Sequence, residues 1–126
     1  MYKVGTVNEL VQYAGKMDND LYAEAFRVVK ILDDVYGANR DVCNNDGGFC
    51  LIAENFEDVE LISRRYKNLE SDTYEAVDII NGSSERYIVN VYFLNTNEFG
   101  INVIMPLEIA PKTLLKDLPE QVTQHK

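Results

Sequence analysis

The residue types that most often carry enzymatic chemistry are scarce in this sequence. The one histidine, His125, lies beside the C-terminus of the 126-residue chain, where side chains are seldom held in a fixed position. A histidine general base, a histidine-activated Ser or Cys nucleophile and the common histidine-containing zinc sites are therefore not predicted. Neither the glycine-rich P-loop pattern nor GxGxxG occurs, so no phosphate-binding loop is expected. The sequence predicts a protein that is not an enzyme and that needs no cofactor.

Oxygen ligands are concentrated in one loop, residues 41–48, which begins with Asp41, ends with Gly48 and consists mostly of Asp, Asn and Gly. Calcium prefers such ligands. When Gly47 is aligned with the invariant glycine of a calcium-binding loop, however, Val42 falls at the position where the first carboxylate ligand is needed. Asn, Asp and Gly also accumulate wherever the backbone turns tightly. We therefore predict a turn without a metal, and an enzyme or small-ligand module that uses this loop is the alternative.

The two cysteines, Cys43 and Cys50, match no metal or redox spacing because they lie seven positions apart. The N-terminus shows no basic start followed by a long apolar stretch, so no secretory signal is expected. We therefore predict a cytoplasmic protein with two reduced thiols. Cys50 lies in an apolar run and is predicted to be buried, whereas Cys43 is the more exposed one.

The most distinctive feature is the distribution of charge. The chain carries 12 basic and 21 acidic residues, a net charge of −9, and residues 41–85 alone contain eleven acidic and three basic ones. Such a charge disfavours direct binding to nucleic acid and attracts basic protein surfaces. A simpler interpretation is that the charge serves solubility. If the acidic residues form one surface, the residues that bind a partner are Glu54, Glu57, Asp58, Glu60, Tyr66, Glu70, Asp72, Tyr74, Glu75 and Asp78.

Three helices are predicted to position these side chains. A capping box at Thr6 and Glu9 begins a first helix that extends to about Lys16. Apolar residues at spacings of three and four between positions 21 and 36 predict a second, amphipathic helix that is capped by the acidic run 18–20 and ends at Gly37. A third helix begins after Asn55, and its predicted apolar stripe contains Phe56, Val59, Ile62 and Tyr66.

Four strands complete the predicted fold. The apolar run 49–53 is typical of a buried strand, and residues 74–80, 86–94 and 99–105 alternate with a period of two. The dipeptide Asn81-Gly82 predicts a hairpin, so the last three strands form a meander. The fold class is therefore α+β, with N-terminal helices packed in two layers on a mainly antiparallel four-stranded sheet. We expect one domain over residues 1–118 and a frayed tail over residues 119–126.

Two segments carry a family resemblance, NRDVCNNDGGF at residues 39–49 and the run from VYFLN at 91–95 to VIMP at 103–106. They are similar to small acidic proteins of phages and conjugative elements in Gram-positive bacteria. The resemblance implies a mobile-element context in which inhibitors of host defence, such as anti-CRISPR and antirestriction proteins, are frequent.

Together, charge and resemblance lead to a hypothesis of a non-enzymatic inhibitor, a DNA mimic that occupies the basic nucleic-acid-binding surface of a protein. A further alternative is a homo-oligomeric structural protein that pairs through an exposed strand at residues 99–105.

Overall fold

A five-stranded sheet lies between helices on its two faces. The computed structural model describes residues 1–44, 46–66, 76–94 and 100–112. The helices and strands are β1 (Tyr2–Val4), α1 (Val7–Leu10), α2 (Asn19–Tyr36), β2 (Phe49–Ile52), α3 (Phe56–Tyr66), β3 (Ala76–Asn81), β4 (Tyr87–Leu94) and β5 (Gly100–Pro106), with short 3₁₀ turns at Val11–Tyr13, Val42–Asn44 and Leu107–Ile109. None of the helices in these ranges is both long and apolar enough to cross a bilayer.

The strand order across the sheet is β1-β2-β5-β4-β3. The meander of β3, β4 and β5 is confirmed, and three of the four strand pairings are antiparallel. The predicted strand count of four is wrong because β1 adds a fifth strand, and β2 pairs in parallel with β5. β5 therefore has a neighbour on each side, and the predicted exposed strand at 99–105 is a central strand instead.

The sheet is covered on both faces, so the two-layer prediction is wrong and the molecule has three layers. One face presents apolar residues such as Cys50, Ile52 and Ile104 to α1 and α2. The other face presents Leu51, Val91 and their neighbours to α3 and to the turn after β5. Apolar stripes on the helices predicted that each would be buried, but a stripe does not specify which side of a sheet it covers.

The second helix forms as predicted. Its N-cap is Asp18, whose carboxylate accepts hydrogen bonds from the backbone N–H groups of Asp20 and Leu21 at 3.0 and 3.2 Å. It ends at Gly37, whose φ of 90° favours glycine. The first helix is shorter than expected. The capping box of Thr6 and Glu9 is present, but α1 ends at Leu10 and passes into the 3₁₀ turn.

The β3–β4 hairpin is confirmed, but residues 82–86 form its connection because Asn81 still pairs with Tyr87 in the ladder. Gly82 packs against the carboxylate of Asp20, where a Cβ atom would lie only 2.4 Å from the carboxyl carbon. The glycine at this position is therefore required by the close approach of α2. Residues 67–75, just before Ala76, and the predicted tail 119–126 lie outside the described residues.

Candidate functional site

The surface with the strongest signs of a binding role is the solvent-facing side of α3. The helix begins after Asn55, whose side-chain oxygen accepts the N–H of Asp58 at 3.0 Å, as predicted for a cap. Val59 and Ile62 pack on the sheet. Phe56 was predicted on that apolar stripe, but it is 64% exposed, and Leu61 is 49% exposed.

Two predicted partner-binding carboxylates lie beside these apolar side chains. Glu57 and Glu60 are exposed, and neither forms an ion pair with another residue that the structure describes. Residues three and four apart are neighbours on a helix, so Phe56 is adjacent to Glu60 and Glu57 is adjacent to Leu61. The N-terminal half of α3 thus presents two carboxylates between two apolar side chains, and we call these four residues the α3 patch.

The C-terminal half of α3 carries the opposite charge. Arg64 and Arg65 are both exposed, and the guanidinium of Arg64 donates from Nε to the backbone oxygen of Glu60 at 3.4 Å. Acidic residues in the first turn and basic residues in the last turn suit the helix dipole. The exposed charges of α3 therefore sum to zero, and the negative charge of this helix is confined to its N-terminal half, where the α3 patch lies.

Asp58 is buried, unlike its acidic neighbours on α3. Its carboxylate accepts the backbone N–H of Glu54 at 2.9 Å and lies 3.2 Å from the amino group of Met1. These contacts orient the N-terminal end of α3, and they give the buried Asp58 carboxylate both a hydrogen-bond donor and a positive charge. The structure therefore does not place Asp58 on the surface with Glu57 and Glu60.

Two other predicted residues are partly buried at the ends of α3. Partial burial raises the pKa of Tyr2, and the negative charge of the nearby Glu54 carboxylate acts in the same direction. Tyr66 packs against Phe93 with ring centroids 6.0 Å apart. Both side chains are half-exposed, so each keeps a surface that a partner can reach.

Asp78 lies on the opposite side of the sheet from α3. Along β3, Val77 and Ile79 point towards the α3 layer, so Asp78, which lies between them, points towards α2. The acidic residues of the central segment therefore divide between two faces among the residues described. Glu70, Asp72, Tyr74 and Glu75 lie outside the described residues.

The loop of residues 41–48 uses its polar side chains to form turns. The Asp41 carboxylate accepts from the Asn44 amide at 2.5 Å, and the Asp46 carboxylate accepts the backbone N–H of Asp41 at 3.3 Å. Across the described parts of the chain, no group of three or more His, Cys, Asp or Glu side chains is arranged to hold a metal ion. These contacts favour the predicted turn over the carboxylate site.

Both cysteines are free thiols, with Cys50 fully buried and Cys43 exposed, as predicted. Burial raises the pKa of the Cys50 thiol far above its ordinary value, and the nearby Glu24 carboxylate acts in the same direction. Cys50 is therefore an inert core residue.

Sequence reasoning missed a buried polar network between α2 and the sheet. Glu24 and Asn90 are both almost fully buried. Arg27 donates to the two Glu24 carboxylate oxygens at 2.6 and 2.7 Å, Asn90 donates to Glu24 at 3.1 Å, and Asn102 donates to Asn90 at 3.1 Å. The bond to Glu24 is the main cause that raises the pKa of Arg27. The sequence did contain a sign of this network, because Asn90 and Asn102 are polar residues in the middle of two strongly apolar strands.

No family model, curated protein or solved structure matches this chain.

Proposed function

We propose that the protein is a non-enzymatic binding module that docks on a basic protein surface through the α3 patch. The observation that carries the proposal is the exposure of Phe56 and Leu61 beside two carboxylates that have no ion-pair partner within the described residues. Apolar side chains at the centre of a contact contribute affinity, and charges around them contribute association rate and specificity.

Net charge supports a basic partner. The chain carries a charge of −9, and the segment from residue 41 to 85, which contains α3, holds most of it. A negative field of this kind accelerates encounter with positively charged proteins and repels nucleic acid. Enzymes that bind nucleic acid present positively charged surfaces. The specific function that we propose is therefore inhibition of a nucleic-acid enzyme of host defence.

The contact differs in composition from the acidic surface expected from the sequence. Asp58 is engaged within the fold, and Asp78 faces the other side of the sheet. A DNA mimic in the strict sense needs a long track of carboxylates, whereas the α3 patch is short and partly apolar. We therefore propose a mixed contact in which Phe56 and Leu61 are as important as the two glutamates.

The test uses a panel of purified restriction and CRISPR nucleases in a direct binding assay, with DNA as competitor. We expect binding that DNA displaces and that the double variant Glu57→Lys with Glu60→Lys weakens about tenfold or more. The matched control is Asp34→Lys with Glu85→Lys, which makes the same change in net charge at exposed positions away from α3. Binding to no member of the panel contradicts the inhibitor form, and an equal loss in both double variants contradicts the α3 patch as the contact.

Phe56→Ala tests the apolar part of the contact separately. Phe56 is largely exposed, so the substitution leaves the core intact, while the loss of a central aromatic contact lowers affinity about tenfold or more. Unchanged affinity of Phe56→Ala would show that Phe56 is not part of the contact.

A further inference from the structure

Strand β3 forms one edge of the sheet, and among the residues described no strand pairs with its outer side. It is six residues long and pairs with β4 without a bulge, whereas β1 at the opposite edge has only three residues. Natural sheets protect their edges with short strands, proline, lysine or bulges. β3 contains no proline or lysine, and its one charged residue is Asp78. This edge is therefore suited to pairing with another strand.

The hairpin shows which backbone groups of β3 face outward. Gly82 lies opposite Arg86 and donates its N–H to the Arg86 carbonyl at 2.8 Å. In an antiparallel pair, residues that bond to the neighbouring strand alternate with residues whose N–H and C=O groups point away from it. The even-numbered residues of β3 therefore bond to β4. The N–H and C=O groups of Val77, Ile79 and Asn81 point to the outer side.

A second copy of β3 matches this edge in one antiparallel register. When Ile79 lies opposite Ile79 of the second copy, Val77 lies opposite Asn81, and every outward N–H and C=O group of both strands gains a partner. A shift of two residues in one direction would place the two Asp78 side chains directly opposite each other. A shift of two residues in the other direction would place Val77 opposite Ser83 in the hairpin connection. The register centred on Ile79 is therefore the favoured one.

The side chains of β3 also suit this register. Val77 and Ile79 pack on the core beneath α3 but remain half-exposed, and in the paired strands they form one continuous apolar row with those of the second copy. On the other face, Asp78 lies opposite Ile80 of the second copy, so the like charges are not directly opposed. Both strands are already formed, so their pairing costs less conformational entropy than ordering an extended peptide on the same edge.

We propose that the chain forms a homodimer by antiparallel pairing of β3 with β3 of a second copy, which joins the two sheets into one. The two-fold axis passes between the two Ile79 residues, and the same residues contribute from both copies. The contact lies at the sheet edge and uses none of the residues of the α3 patch. It therefore stands or falls independently of the proposed docking on a basic protein.

The first test is sedimentation equilibrium of the full chain at protein concentrations from about 10 μM to about 1 mM. We expect the average mass to rise from that of the monomer towards twice that value. Each copy carries a net charge of −9, so raising the sodium chloride concentration from about 0.05 M to about 0.5 M should tighten the dimer by screening the repulsion. Docking on a basic partner weakens with salt, which distinguishes the two contacts.

Matched substitutions at Asn81 test the backbone bonds. Asn81→Pro removes an outward N–H, and proline is tolerated at such a position of an edge strand because the ladder to β4 does not use that N–H. Asn81→Ala removes the same side chain but keeps the N–H. We expect Asn81→Pro to weaken the dimer about tenfold or more and Asn81→Ala to change its dissociation constant less than about twofold.

Hydrogen exchange locates the contact without any substitution, so it decides the question even if Asn81→Pro does not fold. The backbone amides of Val77, Ile79 and Asn81 should exchange rapidly in dilute protein and about tenfold or more slowly at high concentration, because each donates to a carbonyl in the dimer. The amide of Ile80 donates to β4 and should be protected at both concentrations.

Four results would overturn the inference. The first is a monomer at every concentration, and protection of the same amides by an added partner protein would then assign the edge to a strand of that partner. The second is equal weakening of the dimer by Asn81→Pro and Asn81→Ala. The third is a dimer in which exchange at Val77 and Ile79 is not slowed. The fourth is protection of these amides at every dilution, which would show that another part of the same chain covers the edge.

Discussion

The buried carboxylate of Asp20 holds the β3–β4 turn against helix α2. It lies on α2 and accepts hydrogen bonds from the backbone N–H groups and the hydroxyls of Ser83 and Ser84 in the β3–β4 turn. These bonds favour the ionised form and lower the pKa of Asp20 to about 2, although burial acts in the opposite direction. The carboxylate thereby joins the start of α2 to a turn more than sixty residues away in the chain.

Replacing Asp20 by Asn should therefore lower the free energy of unfolding at neutral pH by about 2 kcal/mol, because an amide cannot accept from four donors. Since the folded pKa of about 2 lies below the unfolded value of 3.8, the carboxylate stabilises the fold above about pH 4, and this contribution disappears as the pH falls towards 2. Urea unfolding at a series of pH values should show that the difference in unfolding free energy between wild type and Asp20→Asn shrinks between about pH 4 and pH 2.

The control for this prediction is Asp34→Asn, which removes the same charge from an exposed position on α2. It should change the free energy of unfolding by less than about 0.5 kcal/mol. A deficit of Asp20→Asn that is the same at every pH would contradict a role for the ionised carboxylate.

Glu85 occupies an unfavourable backbone conformation in the same turn. Its φ of 63° lies in the left-handed region, which glycine adopts without the clash that a Cβ atom causes. Glu85→Gly should raise the free energy of unfolding by about 1 kcal/mol in chemical denaturation. Glu85→Gln removes the same charge but keeps the Cβ atom, so equal stability of the two variants would refute this explanation.

At the scale of elements, Arg40 joins the segments that surround the end of α2. Its guanidinium donates to the Asp33 carboxylate at 3.2 Å and to the backbone oxygens of Gly37, Gly48 and Gly5. The side chain is only 3% exposed. Asp33 in turn accepts the first backbone N–H of α1, from Val7, at 2.9 Å. The buried guanidinium of Arg40 and the partly buried carboxylate of Asp33 thus join β1, α1, α2 and the loop before β2.

Replacing Arg40 by Met should lower the free energy of unfolding by about 3 kcal/mol, because the partly buried Asp33 carboxylate loses its ion-pair partner and three backbone oxygens lose a donor. Arg40→Lys keeps the charge but lacks the planar donors, so we expect most of this loss to remain. The control Arg65→Met, at an exposed position, should cost less than about 0.5 kcal/mol. Wild-type stability of Arg40→Lys would show that charge alone suffices.

At the scale of the whole molecule, the two thiols report on global opening. Cys43 is exposed and Cys50 lies in the core between α2 and the sheet. Because burial blocks access and raises the pKa of the Cys50 thiol, only one thiol should react with a disulfide reagent in the native protein. Two should react in guanidinium chloride. Rapid reaction of both thiols under native conditions would contradict the packing of α2 on β2.

Local patterns were enough for much of the fold. Helix α2 with its caps at Asp18 and Gly37, the β3–β4 hairpin and the buried Cys50 follow from periodicity, capping chemistry and turn residues, all of which act over a few positions. Strand β1 was not predicted, because three residues are too short for a periodic signal. Phe56 was assigned to the buried stripe, because periodicity relates residues to one another and does not show how far the neighbouring sheet extends.

The sequence by itself determined the kinds of element, the net charge of −9 and the scarcity of catalytic residue types. Only the tertiary structure decided that α3 and Asp78 lie on opposite faces, that Asp58 is buried, and that Asn90, Asn102 and Glu24 form one network. The reason is that charge and periodicity are local properties of the chain. The face of the sheet that each helix covers, and the strand that pairs with β5, depend on contacts between residues far apart in sequence.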